Sequence, residues 1–382
     1  MGHSSFTRTL YESARSASVP DYGTAGATTR KAEQQAYSTG NLDPLVDPSE
    51  YGVIRLSLPR VSKKDDGTYE LNIGTPMPIE TRVDTTGSMG NNVDVAMEVL
   101  PDAFELWNQV LPGYDLQIAT GIFGDHKDHF PLCRPQFEME ASKIVKQLSL
   151  MVPGRSGFDA PEDPDIGIFG GAYLTRAYIN RIGLKRYDFT VTDAPGRGVI
   201  AINDLKKIYG DEVFNKVKEN GYHIDTRAPV NLSEVWDDLI TQAHAFILLV
   251  DPCHETRKFW ETHCGKERVV TIADIKYLPH IQAVIIGLTE GTLPLTDINK
   301  FLTSNNLSPN VANSISLSMA KIPIHAQMQL ANYTKKPVKG DIFEGKPNIW
   351  EDTNLWPIHK IAQNENTNSE NDSENMQEDD WL

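Results

Sequence analysis

The sequence predicts an α/β protein with a doubly wound, mostly parallel sheet, helices on both faces, an N-terminal arm and a small C-terminal helical extension. Three observations lead there. The chain has 382 residues, 40% of them apolar, enough for one large core with extensions. Its strand-like segments, of which Ala245–Val250 is the clearest, are continuous apolar runs, the pattern of strands buried on both faces. Segments of about 10 to 15 residues with helical apolar spacing separate them, as parallel pairing requires.

Residues 1–45 are small and polar, rich in Ser, Thr, Ala and Gly, and read as an arm with one helix from Thr29 to Tyr37. Over 46–74 a β ribbon is expected. Val53–Leu58 is extended, Asp65-Asp66-Gly67 turns and Tyr69–Asn72 returns, which would give the sheet an antiparallel edge. The main domain then covers 75–290. It opens with the strand Ile79–Asp84 and a helix from Asn92 to Val110, apolar at Val95, Val99, Leu100, Phe104, Leu106 and Val110 and interrupted by Pro101. The strand Asp115–Phe123, a helix around Met139–Leu150, a Gly and Pro loop, a helix from Ile168 to Ile182 and the strand Tyr187–Thr192 follow. A polar helical stretch, a helix Ser233–Ala243, the strand Ala245–Val250, a helix Glu255–His263, the strand Arg268–Thr271 and a helix Asp274–Ile286 complete the alternation.

Beyond Gly291 the pattern becomes helical without strands, at Leu295–Thr303, Pro309–Ala320 and His325–Tyr333, giving an extension over 291–345. Pro309 suits the first turn after a Ser308 cap, where its missing donor does no harm. Residues 346–382 form an acidic tail with the run NENTNSENDSENMQEDD, too poor in apolar groups to offset chain entropy and therefore expected to be disordered.

The formal net charge is −16. Phosphate recognition needs a basic footprint, so nucleic acid is not an expected partner. No 18 apolar residues run together, the first residues lack the apolar segment of a signal peptide, and Phe6 stands where a myristoylation pattern needs Ser or Thr. No membrane partner is expected. Three cysteines, an odd and sparse set, offer no disulfide framework and suit a reducing compartment, so the expected location is cytoplasmic.

The string VDTTGSMGNN places Asp84, Thr86 and Ser88 at alternate positions between an apolar strand and a helix. Strand C-termini form the ligand crevice of open α/β sheets, and short oxygen-bearing side chains there can converge on one cation. One carboxylate with two hydroxyls leaves a hard divalent ion undercharged and open to further ligands. The simpler reading is that Asp84 caps the helix and the hydroxyls satisfy loop amides.

DTTGSM resembles the first motif of the von Willebrand factor A (vWA) family, with its metal-ion-dependent adhesion site (MIDAS), in the manner of an intracellular bacterial or phage-type member. The resemblance runs over roughly residues 75 to 290. GFDAPED at 157–163 is similar to the second metal loop, and Asp193 in FTVTDAP to the third-motif aspartate. Asp159 stands where adhesive members carry Thr, and Ala194-Pro195 replaces the usual Gly-containing continuation. The resemblance implies a Rossmann-like vWA domain and a Mg2+ or Mn2+ site formed by Asp84, Thr86, Ser88, Asp159 and Asp193. It also implies binding of a protein partner whose carboxylate completes the coordination. Several intracellular members work beside AAA ATPases or as scaffolds, so an AAA ATPase or another assembly subunit is a candidate partner.

Other polar groups offer different chemistry. Asp125, His126, Asp128 and His129 in GDHKDHF follow a strand and could form a second metal site or serve hydrolysis. Cys253-His254 and His263-Cys264 suggest zinc, but they bracket a helix of about nine residues, roughly 14 Å long, too far apart for one tetrahedral ion. No P-loop or dinucleotide glycine fingerprint follows a strand. The sequence thus points to a divalent-cation-dependent interaction module or scaffold of an intracellular assembly. The alternatives are a metal-dependent hydrolase using Asp84, Asp125 and His126 or His129, and a self-assembling homo-oligomer that uses its terminal arms.

Overall fold

Ten consecutive buried residues, Thr75–Asp84, form an interior strand that carries both apolar and charged side chains. In the computed structural model, which describes residues 9–10, 12–13, 25–89, 92–154 and 161–345, this strand (β1) belongs to a six-stranded sheet. The others are β2 (Tyr114–Phe123), β3 (Leu132–Cys133), β4 (Arg186–Thr192), β5 (Ala243–Val250) and β6 (Val269–Ile272). Their order is β6-β5-β4-β1-β2-β3, parallel throughout except for β3, which runs antiparallel to β2. Helices cover both faces, so the chain is α/β with a mostly parallel central sheet. Among the described residues no helix is long and apolar enough to cross a membrane.

The period-two alternation of strands gives the two faces different chemistry. Toward one face point Ile79 and Val83 of β1, Tyr187, Phe189 and Val191 of β4, and Phe246, Leu248 and Val250 of β5, in a core shared with the helices Asn92–Val110 and Leu278–Glu290. Toward the other, β5 presents Ala245, Ile247 and Leu249 to an apolar cluster with the helix Leu232–Gln242. At the centre of that second face β1 and β4 instead carry Glu80, Arg82 and Asp84 beside Asp188, Thr190 and Thr192, all buried.

These charges are paired. Arg82 bonds Asp188 through both terminal nitrogens and reaches Thr190 Oγ1 at 3.2 Å, while Arg134 Nε donates to Glu80 Oε1 at 3.0 Å. Burial opposes ionisation of Glu80, but Arg134 and Arg82 hold it down to about 2. The helix Pro164–Tyr173 lies directly over this network. A Cβ at Gly167 would come within 2.7 Å of Arg82 Cδ, and one at Gly171 within 2.8 Å of Asp188 Oδ2, so these glycines allow the close approach.

Several sequence expectations need correction. Val53–Leu58 does not pair with Tyr69–Asn72: Arg55–Ser57 runs parallel to Thr175–Ala177, and Tyr69–Leu71 pairs with Val61–Lys63 and Ile342–Phe343 in a separate three-stranded sheet. The antiparallel edge of the main sheet is β3. The helix expected over Ile168–Ile182 is split into Pro164–Tyr173 and a short helix Tyr178–Arg181, because Thr175–Ala177 between them is drawn into pairing with Arg55–Ser57. The helix Asn92–Val110 continues through Pro101. Residues 325–333 form turns, since His325 and Gln327 donate their backbone N–H groups to Leu288 O and Thr289 O at 2.8 and 3.0 Å, strapping this segment onto the core. Ser308 does precede the helix Pro309–Ser318, without a side-chain cap bond. The acidic tail lies outside the described residues.

At the end of the sheet opposite Asp84, Glu290 is 1% exposed and accepts the Tyr187 hydroxyl at 2.8 Å. Tyr333 donates to its backbone oxygen at 3.3 Å, and Lys336 Nζ lies over the rings of Tyr114 and Tyr333. Burial pushes the Glu290 carboxyl up to about 7, against the opposing influence of Tyr187, Lys336, Tyr114 and Tyr333. The folded protein therefore holds a proton that the unfolded chain releases at lower pH, and stability from this group is lost as pH rises from the ordinary carboxyl range through 7. Glu290→Gln should become more stable relative to wild type by up to about 3 kcal/mol between pH 5 and pH 8 in urea unfolding. A difference independent of pH would contradict this.

Candidate metal centre

β1 ends at Asp84, and the chain turns through Thr85 and the 3-10 turn Gly87–Met89. Thr85 pins this turn to the neighbouring strand: its N–H and its hydroxyl donate to Phe123 O at 2.9 and 2.8 Å. Thr86 is thereby left facing the site, where its N–H and hydroxyl donate to Asp84 Oδ1 at 2.9 and 2.8 Å. Thr192, at the end of β4, donates to the other oxygen, Asp84 Oδ2, at 2.6 Å.

Two more carboxylates complete the arrangement. Asp193 follows β4 directly and accepts the Ser88 hydroxyl at 2.9 Å. Glu162 enters from the loop before the helix Pro164–Tyr173, its backbone N–H anchored on Pro195 O at 3.0 Å, with Oε1 at 3.5 Å from Ser88 Oγ. Asp84, Glu162 and Asp193 each offer an oxygen within 4.8 Å of the others. One serine proton can serve only one of Glu162 and Asp193 at a time, and Glu162 Oε2 is buried without a hydrogen-bond partner.

Such crowding calls for positive charge. Burial first, and then the Asp84 carboxylate, push Glu162 up to about 10, and the same two causes raise Asp193. A potential that binds a proton this firmly also attracts a cation. The donors are all oxygen, three carboxylates with the Thr86 and Ser88 hydroxyls, which suits a hard divalent ion and not a thiolate-bound or imidazole-bound one. The residues present therefore fit a divalent metal. Asp84, Ser88 and Asp193 line its position with Glu162, and Thr86 lies against Asp84.

Of the residues singled out in the sequence, Asp84, Thr86, Ser88 and Asp193 come together here. Asp159 lies outside the described residues. Glu162 was missed, although it belongs to the same GFDAPED string; the available signal was a second acidic residue beyond Pro161.

The GDHKDHF loop forms a different cluster. His126 Nδ1 lies 2.8 Å from Asp163 Oδ2 and 3.1 Å from Asp125 Oδ1, and Arg197 bonds both carboxylates. Asp128 Oδ2 accepts the Asp125 N–H at 2.9 Å, and His129 packs against the rings of Tyr37 and Phe130. Among the described residues neither histidine is part of the Asp84 cluster, so the pairing of Asp84 with His126 or His129 that the hydrolytic alternative uses is not formed there. The zinc suggestion also fails to converge: Cys253 caps the helix His254–Cys264, Cys264 is buried at its far end, and His263 faces Ser233 at 2.8 Å.

No family model matches the sequence, and no curated protein matches it. Solved structures match over part of the chain. Proximal thread matrix protein 1 from the mussel byssus is 14% identical with a TM-score of 0.36, the match covering 57% of this chain and 47% of that one. A second structure of that mussel protein has a zinc-occupied MIDAS motif. The open form of the pilus adhesin SpaC from Lactobacillus rhamnosus GG is 12% identical, with a TM-score of 0.37 and coverage of 58% and 31%. A von Willebrand factor type A protein from Catenulispora acidiphila is 10% identical, with a TM-score of 0.33 and coverage of 59% and 45%. In each case the match spans less than half of the other chain.

Because without an ion folding at neutral pH must place a proton on Glu162, Glu162→Gln should raise the melting temperature in chelator by a few degrees, on the order of 1 kcal/mol. In millimolar Mg2+ the same variant should melt below wild type, having lost a ligand. Calorimetry in the two buffers checks both signs, and a variant that melts with wild type in each would contradict the assignment.

Proposed function

We propose that the chain is a divalent-cation-dependent protein-interaction module, a scaffold subunit of an intracellular assembly. The observation that carries this reading is the graded exposure of the site. Asp84, Thr86 and Glu162 are buried, Asp193 is half-buried and Ser88 is exposed. An ion held from below by Asp84 and Glu162 would keep its outer side open past Ser88, where an incoming oxygen ligand could complete the coordination. The ligand is a Glu or Asp carboxylate of a protein partner, and the ion is Mg2+ or Mn2+, the choices that suit an all-oxygen site with open positions.

The partner class follows from the charge. A metal with three protein carboxylates would be neutralised or nearly so if one of them stayed protonated, so a single extra carboxylate binds with useful but reversible strength. That suits an assembly whose subunits exchange, such as one driven by an AAA ATPase or one in which copies of this chain bind one another. In affinity purification of the full chain, a partner retained in Mg2+ should be released by EDTA, with retention restored on adding Mg2+ back. Asp84→Ala should lose both that retention and the rise in melting temperature that Mg2+ gives wild type. Equal retention with and without EDTA would overturn this function.

A further inference from the structure

We propose that Arg197 is a positioning residue for the metal centre: it acts as the fixed cation of the neighbouring Asp125–His126–Asp163 cluster and locks in place the loops that deliver Glu162 and Asp193. This inference rests on the metal reading above. It starts from chain connectivity. Glu162 and Asp163 are consecutive, yet Glu162 joins the metal cluster and Asp163 joins Arg197. Asp193 and Arg197 lie four residues apart on the loop that follows β4.

The guanidinium spans two loops and belongs to a third. Its Nε donates to Asp163 Oδ1 at 2.8 Å and its Nη2 to Asp125 Oδ2 at 2.9 Å. The backbone N–H groups of Arg197 and Gly198 donate to Asp165 Oδ2 at 3.1 and 2.9 Å, tying the same loop to the first turn of the helix Pro164–Tyr173. His126 completes the ring, with its backbone N–H donating to Asp163 Oδ2 at 2.8 Å. The Asp125 and Asp163 side chains are 1% and 7% exposed and that of Arg197 27%, so these charge-assisted bonds are largely shielded from water.

The consequence concerns both clusters. Asp125, His126 and Asp163 meet the distance requirement for holding a metal, but a planar guanidinium already occupies their two carboxylates and, unlike an exchangeable ion, is covalently part of the loop it fixes. Once Asp163 is held, the backbone at Glu162 has little freedom, and Glu162 faces Asp84 before any ion arrives. Groups that orient metal ligands from outside the coordination sphere commonly change metal affinity by about 10- to 100-fold.

The test is titration of the full-length protein with Mn2+ alone, by calorimetry and by water-proton relaxation, at a temperature where circular dichroism shows each variant folded in chelator. Arg197→Met should weaken Mn2+ binding about 10- to 100-fold. It should also raise the relaxivity per bound Mn2+, as water replaces a ligand that is no longer held in position. Arg197→Lys, which keeps the charge but lacks the planar fork that meets the two carboxylates through separate nitrogens, should fall between. Should Arg197→Met fail to fold, Asp125→Ala removes one anchor of the guanidinium without changing a residue of the metal loops and should give a smaller loss in the same direction. Wild-type affinity and relaxivity in a folded Arg197→Met or Asp125→Ala protein would overturn the inference. Absence of Mn2+ binding by wild type would instead overturn the metal reading itself.

Discussion

The convergence of three carboxylates at the C-terminal end of β1 and β4 is the constraint around which the rest of the structure is arranged. Asp84 ends β1 while Glu162 and Asp193 come from separate loops, and bringing their oxygens within 4.8 Å of one another opposes folding unless positive charge or protons compensate. An isolated buried carboxylate can relieve its cost by taking up a proton; three held together create a negative potential that a cation would also relieve. The rigidity needed for this comes from the sheet, because β1 and β4 are hydrogen-bonded neighbours in register from Ile79 to Val83.

That register extends the polar chemistry below the site. Glu80, Arg82 and Asp84 alternate along one strand beside Asp188, Thr190 and Thr192 on the next, so the candidate metal centre is the outermost member of a buried polar row. Arg82 joins the row to its floor by bonding Asp188 and Thr190, and Thr192 joins it to the site by bonding Asp84. Breaking one partner of such a buried pair typically costs about 3 to 5 kcal/mol, because the other charge is stranded. Fold and site therefore share elements: the helix that covers the row begins two residues after Glu162, and its glycines fit it to the same arginine that braces the strand.

The parts legible in the sequence were those fixed by local pattern. The apolar run of β5 marked its strand, and DTTGSM, with its alternating oxygens after a strand, marked the turn where Asp84, Thr86 and Ser88 come together. The sequence places the start of this strand at Ile79, whereas β1 starts at Thr75 and includes Pro76 and Pro78. They are tolerated because β4 pairs with β1 only from Ile79 onward, leaving one side of the strand free at the prolines. What could not be read depends on contacts distant in sequence. Thr175–Ala177 looked helical until its pairing with Arg55–Ser57 was known, and residues 325–333 looked helical until their bonds to Leu288 and Thr289 were known. Glu162 owes its place to a bond with Pro195, and the GDHKDHF loop resembled a metal site because its cation, Arg197, lies 72 residues beyond Asp125.

The central claim is that a divalent ion binds between these three carboxylates. Anomalous diffraction from crystals of the full-length protein soaked in Mn2+ tests it most directly. A peak at coordination distance from Asp84, Ser88 and Asp193, with Glu162 turned toward it and open positions facing solvent, is the predicted result. No peak there, or a peak confined to the Asp125 and Asp163 carboxylates that Arg197 occupies, would contradict it.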